Sequence, residues 1–210
     1  MKLATLLLLM AGAAGPAGDA PLHSNDFSKT ELGKLSDTDF LVLAGSFAVK
    51  DFEGDRVLEL AGAPLDSFGM LFGPTPAEAT CTVSARIWGA TTGRRFPEFG
   101  VGSNDAGGYK LWLMPRMKRV AIRKGDQTVA TAKYEGWQTN TWTQLRLQVS
   151  KTGEEAWMVR GKIWPAGAEE PQQWTVSFQE REAPPAGRAS VWGNTYSGQP
   201  IRFDDLRLTR

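Results

Sequence analysis

The sequence predicts an all-β protein, an antiparallel β-sandwich of the jelly-roll type with about a dozen strands. Apolar and polar residues alternate in short runs instead of recurring at helical spacing. Glycine, proline, asparagine and aspartate interrupt these runs at short intervals, and no segment has an amphipathic helical pattern. Many short strands joined by turns are typical of two sheets that bury their inner faces against each other.

Five strands are predicted in the first half of the chain, at 56–60, 67–72, 80–88, 98–103 and 109–114. Successive side chains of a strand point to opposite faces, so alternation assigns the inner face. In 80–88 the apolar residues Cys81, Val83, Ala85 and Ile87 form that face. In 109–114 it is formed by Tyr109, Leu111 and Leu113, and in 98–103 Phe99, Val101 and Ser103 share one side.

Seven strands are predicted in the second half, at 119–123, 128–132, 142–150, 156–164, 174–178, 189–192 and 201–208. The last one has an irregular pattern. Ile201 and Phe203 share one face, whereas Leu206 and Leu208 fall on the other face of a regular pleat. An extra residue at Asp204 or Asp205, a β-bulge, would bring all four to one side.

The chain divides into a signal peptide at 1–20, a lead-in segment at 21–39 and one domain at 40–210. Lys2 precedes an apolar run over 3–10, and small residues follow it, which is the pattern of a secretory signal peptide. We expect cleavage between Ala13 and Ala20 and a secreted or periplasmic mature protein. A membrane anchor is the alternative, but the run is much shorter than the ~20 apolar residues that span a bilayer.

The composition argues against several classes of site. The chain has one histidine, one cysteine and eight tryptophans, which disfavours zinc sites, histidine-based triads and disulfides. His23 lies outside every predicted strand, and Cys81 is expected to be a small buried apolar residue. An exported chain with a net charge of +1 is an improbable nucleic-acid binder.

Five segments resemble the concanavalin A-like lectin/glucanase superfamily, and within it secreted bacterial 3-keto-disaccharide hydrolase domains. They are FPEFGVG at 96–102, GYKLWL at 108–113, WTQLRLQV at 142–149, GRASVWG at 187–193 and PIRFDDLRL at 200–208. The resemblance extends from Phe40 onward and implies a jelly roll with a groove that commonly holds a glycan. The acidic Glu-x-Asp-x-Glu strand motif of the glucanase branch is absent from the sequence. So is the catalytic histidine pattern of the alginate-lyase branch, because His23 is not in a strand.

Alternation also yields a candidate sugar-binding groove. The outward faces of the strands at 80–88, 98–103 and 109–114 suggest a glycine floor flanked by two tryptophans, since glycines on one face clear space for a ligand. Tryptophan offers a flat apolar face to a sugar ring and an N–H group to a hydroxyl. The alternative is that the tryptophans belong to a second layer of core. The predicted glycan-binding residues are Arg86, Trp88, Gly100, Gly102, Asn104, Lys110 and Trp112.

Catalysis would require a pair of carboxyl groups. Most glycosidases place two such groups roughly 5 to 9.5 Å apart around the scissile bond. Glu98 is the one acid on the proposed face, and Asp105 in the adjacent turn is the candidate partner. The sequence therefore favours a glycan-binding domain. A glycoside hydrolase and a noncatalytic scaffold or adhesion domain are the alternatives.

Charge suggests two further ligands. Residues 84–124 include nine basic and two acidic residues, whereas residues 1–83 include five basic and eleven acidic ones. Focused positive potential would suit an anionic polysaccharide, unless the acidic part folds against the basic part. No cofactor is predicted, but calcium is a possible ligand. Its candidate ligands are Asp204 and Asp205, whose alternative role is to form a bulge or a turn.

Overall fold

A computed structural model describes residues 20–63 and 66–210, which form two packed antiparallel sheets, sheet A and sheet B. The predicted signal peptide, apart from Ala20, lies outside the described residues. None of the helical segments in the described part of the chain is long and apolar enough to cross a membrane. The predicted all-β fold class is confirmed.

Fifteen strands are present in the described residues, and one 3₁₀ turn at Pro115–Met117 follows β8. In chain order they are β1 His23–Asn25, β2 Phe40–Ala44, β3 Phe47–Phe52, β4 Asp55–Leu60, β5 Phe68–Phe72, β6 Cys81–Gly89, β7 Glu98–Ser103, β8 Tyr109–Met114, β9 Arg119–Lys124, β10 Gln127–Lys133, β11 Thr141–Gly153, β12 Ala156–Pro165, β13 Val176–Glu180, β14 Ala189–Asn194 and β15 Ile201–Thr209. Sheet A has the order β13-β12-β11-β6-β15-β4-β3, with β1 also paired to β15. Sheet B has the order β10-β9-β8-β7-β14-β5-β2.

All twelve predicted strands correspond to observed ones, and the structure adds β1, β2 and β3. The expectation that His23 lies outside any strand is wrong, because His23–Asn25 pair with the last strand. Three residues are too few to show an alternation, and the FLVLA run of β2 has none. The lead-in segment thus contributes to sheet A, and Phe27 is fully buried in the core.

The core lies between the sheets and is built from the predicted inward faces. Cys81, Val83, Ala85 and Ile87 are buried in one cluster with the inward residues of sheet B. Cys81 is a free, buried thiol whose Sγ lies 2.9 Å from Ser103 Oγ, and burial raises its pKa. The predicted role of Cys81 as a small buried residue is confirmed.

The predicted bulge in the last strand is also confirmed. The register of β15 against β6 shifts between Asp204 and Arg207, and Asp205 has a φ of 50°. As a result, Ile201, Phe203, Leu206 and Leu208 all belong to the same core cluster and have no exposed surface. A regular pleat would have turned two leucines toward solvent.

Candidate functional site

The outer face of sheet B contains the glycines and the carboxyl group that the sequence proposes for a groove. In the ladders of β7, Gly100 lies opposite Trp112 on one side and Trp192 on the other. Gly102 lies opposite Lys110 and Ser190 in the same way. The structure therefore brings Glu98, Gly100, Gly102, Lys110 and Trp112 onto one face, as predicted.

The glycine floor is not open. Trp112 and Trp192 lie over it and form a second buried cluster with Met114 and Ala121. Only 2% of Trp112 is exposed, and the Arg123 guanidinium lies 4.9 Å from its ring centroid. A Cβ atom at Gly102 would overlap Ser190 Oγ and approach Trp192 Nε1. Trp112 therefore belongs to a second layer of core, the alternative given above, and does not present an exposed surface for stacking.

Trp88 and Arg86 lie on the other side of the molecule. Both belong to β6, in the middle of sheet A, and point away from the core. Trp88 packs against Phe52 with ring centroids 5.1 Å apart, and the Arg202 guanidinium lies 4.6 Å from its ring. The prediction that Trp88 and Trp112 flank one groove is wrong, because alternation cannot show that their strands enter different sheets.

The two candidate calcium ligands, Asp204 and Asp205, both form ion pairs with Arg86. Its guanidinium bonds to the buried Asp204 and forms ion pairs with Asp55 at 2.9 Å and Asp205 at 3.1 Å. Among the described residues, no group of three or more acidic, histidine or cysteine side chains is arranged to hold a metal ion. The acid pair therefore serves the bulge and its ion-pair network, and the calcium interpretation has no structural support.

Asn104 and Lys110 serve the fold. The Asn104 amide donates hydrogen bonds to the carbonyl oxygens of Pro185, at 2.7 Å, and Ala79, at 3.3 Å. Lys110 is 6% exposed, and its ammonium group lies 4.0 Å from the centroid of the Trp192 ring. Burial lowers the pKa of Lys110. Both side chains are thus held by the protein, away from a free ligand surface.

Asp105 cannot pair with Glu98. Its carboxylate accepts a hydrogen bond from the Arg188 backbone N–H at 2.8 Å, beyond the far end of β7. Glu98 begins that strand, and the five residue steps to Ser103 span about 16 Å. This separation exceeds the range in which two carboxyl groups share one glycosidic bond. The predicted catalytic pair is therefore wrong as a pair.

Glu98 instead lines a cavity of about 550 Å³ at one end of sheet B. Strand β7 begins at this end, the neighbouring β8 and β14 end there, and β5 begins there. Antiparallel pairing thus gathers four connecting segments around one opening. The cavity is lined by Asp66, Ser67, Arg95, Phe96, Glu98, Arg116 and Tyr196.

The Glu98 carboxylate is fixed on one side and available on the other. Trp112 Nε1 donates to Glu98 Oε2 at 3.1 Å, and Asn194 Nδ2 approaches the same oxygen at 3.4 Å. Within the described residues, no side chain donates to Oε1. Asn194 Nδ2 also donates to Tyr196 Oη at 3.0 Å, so the tyrosine hydroxyl keeps its own proton for a ligand.

Two guanidinium groups complete the cavity. Neither Arg95 nor Arg116 forms an ion pair with an acidic side chain of the described residues. Phe96 adds a half-buried aromatic side chain, which packs against Trp137. The cavity therefore combines cationic and hydroxyl donors, a carboxylate acceptor and an apolar surface, within the volume range of small-molecule sites.

Sequence reasoning identified Glu98 and missed the other members of this cavity. Arg95, Arg116 and Tyr196 lie in loops and turns, where no alternation indicates a direction. The FPEFGVG segment does contain Phe96 beside Glu98, and Tyr196 follows the end of a predicted strand. These positions flank strand ends, the one signal that could have pointed to them.

Comparisons with known proteins support the fold. No protein-family model matches the chain, and no curated protein matches it. The carbohydrate recognition domain of Emp46p aligns with a TM-score of 0.57 and 12% identity, covering 90% of this chain and 96% of that domain. The VIP36 exoplasmic/lumenal domain, solved with Ca²⁺ and Man3GlcNAc, aligns at 0.55 and 8% identity, covering 90% and 89%.

A third similar structure is that of a GH43 protein. The GH43 protein BlXynB of Bacillus licheniformis aligns with a TM-score of 0.56 and 12% identity, over 88% of this chain but 38% of that protein. At these identities the likeness is one of fold. It agrees with the antiparallel β-sandwich expected from the sequence.

Proposed function

We propose that this protein is a glycan-binding β-sandwich domain that holds a saccharide in the Glu98 cavity. The observation that carries the proposal is the fixed Glu98 carboxylate, whose Oε1 faces no protein donor in the described residues. A sugar hydroxyl can donate to this oxygen and accept from a neighbouring arginine or tyrosine. The choice of ligand is supported by two domains of similar fold, the carbohydrate recognition domain of Emp46p and the VIP36 domain solved with Man3GlcNAc.

The cavity offers a saccharide both hydrogen-bonding groups and apolar surface. Six of its seven lining residues carry polar side chains, and two are arginines that form no ion pair with the described acidic residues. A pyranose presents hydroxyl groups around its edge and C–H groups on its faces. Phe96 and the Tyr196 ring provide apolar surface for those faces.

The test begins with a glycan array and continues with titration calorimetry on the glycans retained. Tyr196→Phe removes the hydroxyl that lines the cavity and should weaken binding roughly fivefold. Tyr134→Phe is the matched control, since the Tyr134 hydroxyl has no hydrogen-bond partner among the described residues. Equal affinities for the two variants would contradict this site. A chain that retains no glycan would be a scaffold or adhesion domain instead.

Glycoside hydrolysis is the second candidate function, because a second carboxyl group, Asp66, lines the same cavity. In this mechanism Asp66, in place of Asp105, would be the catalytic partner of Glu98. The resemblance to 3-keto-disaccharide hydrolase domains makes 3-keto-glucosides the first substrates to examine, with plain β-glucans beside them. Release of reducing sugar that disappears in Glu98→Gln, while glycan binding persists, would establish the enzyme. Absence of turnover on both substrates would leave the binding domain.

Export remains part of the proposal. The pattern in residues 1–20 indicates cleavage between Ala13 and Ala20, which would place the 21–39 segment and the sandwich outside the cytoplasmic membrane. Amino-terminal sequencing of protein recovered from the periplasm or the medium tests this directly. An intact Met1 in that fraction would contradict it.

A further inference from the structure

A second cavity, of about 430 Å³, lies on the outer face of sheet A. Thr82 and Ser84 of β6 and Gln148 of β11 form its floor, and Trp174 forms part of its wall. Because the Glu98 cavity lies on sheet B, the core of the sandwich separates the two.

The charged groups of this second cavity are mainly basic. Arg146, Lys162, Arg207 and Arg210 line it, with Glu170 as the acidic side chain among them. Glu170 is shared by two cations: Arg146 Nη1 lies 2.7 Å from one carboxylate oxygen and Lys162 Nζ lies 2.9 Å from the other. One carboxylate cannot neutralise both cations.

The remaining arginines add to this excess of positive charge. Neither Arg207 nor Arg210 forms an ion pair with a described acidic side chain. Unpaired cations around a concave surface concentrate anions there. A guanidinium group also matches the geometry of a carboxylate or sulfate with two parallel hydrogen bonds.

The bulge in β15 places one of these arginines at the cavity. In a regular pleat Arg207 would share the inward face of Ile201 and Phe203. The extra residue between Asp204 and Arg207 reverses this, so that Arg207 pairs with Ser84 and points outward. The same irregularity that buries Leu206 thus adds a cation to the outer face.

The uncharged side chains of the cavity indicate the kind of molecule to which the anionic group belongs. Hydroxyl groups from Thr82, Ser84 and Thr209 and the Gln148 amide surround the cations. Both Arg160 and Lys162 lie over the Trp174 ring, at 4.6 Å and 4.7 Å from its centroid. The cavity thus combines hydroxyl groups, an amide and an aromatic ring with two cationic groups above it. This combination suits a polyhydroxylated anion better than an inorganic ion.

We infer that this cavity on sheet A is a second binding site, specific for an acidic saccharide whose carboxylate or sulfate group pairs with Arg207 and Arg210, the two cations of the cavity that form no ion pair with a described acidic side chain. The site is independent of the Glu98 cavity. The protein would therefore hold acidic polysaccharide on one face and a second saccharide on the other.

The experiment measures binding of the mature chain, with a tag in place of the predicted signal peptide because Arg210 lines the cavity. The probes are polygalacturonate, dextran sulfate, neutral dextran and single-stranded DNA, each examined at two salt concentrations. We expect one or both acidic polysaccharides to bind, with polygalacturonate reporting a carboxylate site and dextran sulfate a sulfate site. Neutral dextran should not bind to this face.

Two arginine variants decide whether the binding is at this site. Arg207→Gln should weaken acidic polysaccharide binding roughly tenfold, since a charge-assisted pair is lost, whereas Arg207→Lys should retain part of it. Arg181→Gln is the matched control. Trp174 of the cavity precedes β13, whereas Arg181 is exposed and follows the other end of this strand, roughly 16 Å from Val176. Equal weakening by Arg207→Gln and Arg181→Gln would show nonspecific attraction and overturn the site. So would absence of binding to both polyanions, and DNA binding of equal strength would overturn the saccharide assignment.

Discussion

Glu180 provides the sharpest test of how the two sheets are held together. It ends β13 at the edge of sheet A, and its carboxylate reaches two strands of sheet B. Glu180 Oε2 accepts hydrogen bonds from Tyr109 Oη at 2.7 Å and from Lys124 Nζ at 2.8 Å. The backbone N–H groups of Arg181 and Glu182 donate to its other oxygen. The side chain thus joins the sheets at one end of the sandwich.

This network changes the pKa of both buried partners. Burial by itself would raise the pKa of Glu180, but the hydrogen bonds from Lys124, Tyr109 and the backbone outweigh it and lower the pKa from 4.5 to about 2. Burial and the neighbouring Glu180 carboxylate raise the pKa of Tyr109. The ionised carboxylate and the neutral phenol are therefore the forms that stabilise the fold.

We expect Glu180→Gln to lower the free energy of unfolding at pH 7 by about 3 kcal/mol, the value of a pKa shift of this size. Because the pKa is lower in the folded state, the contribution is complete above pH 4.5 and is lost as the pH falls through about 2. At pH 3, between the unfolded and folded pKa values, the difference between wild type and variant should shrink to less than half of its value at pH 7. Urea denaturation followed by tryptophan fluorescence at both pH values measures it.

Glu182→Gln is the matched control. Glu182 also contacts Lys124, at 3.3 Å, but its side chain is 83% exposed. An exposed ion pair contributes little, so this variant should lie within about 1 kcal/mol of wild type at either pH. If Glu180→Gln were no more destabilising than the control, or if its effect were the same at pH 7 and pH 3, the proposed charge network would be refuted.

Three further substitutions test the outer faces of the two sheets. Trp112→Ala should lower the free energy of unfolding by about 3 kcal/mol or more, because the side chain is buried in the core. An unchanged melting temperature would instead show that Trp112 is available to a ligand. Gly102→Val should destabilise by roughly 1 to 3 kcal/mol because its Cβ would overlap Ser190 Oγ, and a neutral or stabilising result in thermal denaturation would show an open strand position. Arg86→Met should cost about 3 kcal/mol at pH 7 by leaving the Asp204 carboxylate buried without its partner, an effect that chemical denaturation should show to be smaller at acidic pH as Asp204 takes up a proton.

The sequence determined the direction of side chains along the strands that have an alternating pattern. In a pleated strand the period of two is a local property, so the pattern of Cys81 to Ile87 predicted their burial without any knowledge of neighbours. The bulge at Asp204 and Asp205 followed from the same rule, since a break in the pattern requires an inserted residue. Glu98 was likewise placed on the outer face before any cavity was known.

Tertiary structure decided which outer faces are shared and which of them remain open. Strands β6 and β7 are close in sequence, yet the connection between them leaves sheet A and enters sheet B, which puts Trp88 and Trp112 on opposite sides of the molecule. Alternation distinguishes inward from outward but carries no information about the partner strand. Trp112 is outward and nevertheless buried, because side chains from neighbouring strands cover it. The Glu98 cavity exists only because antiparallel pairing brings the ends of four strands to one edge, and pairing between distant segments is a property that no local pattern contains.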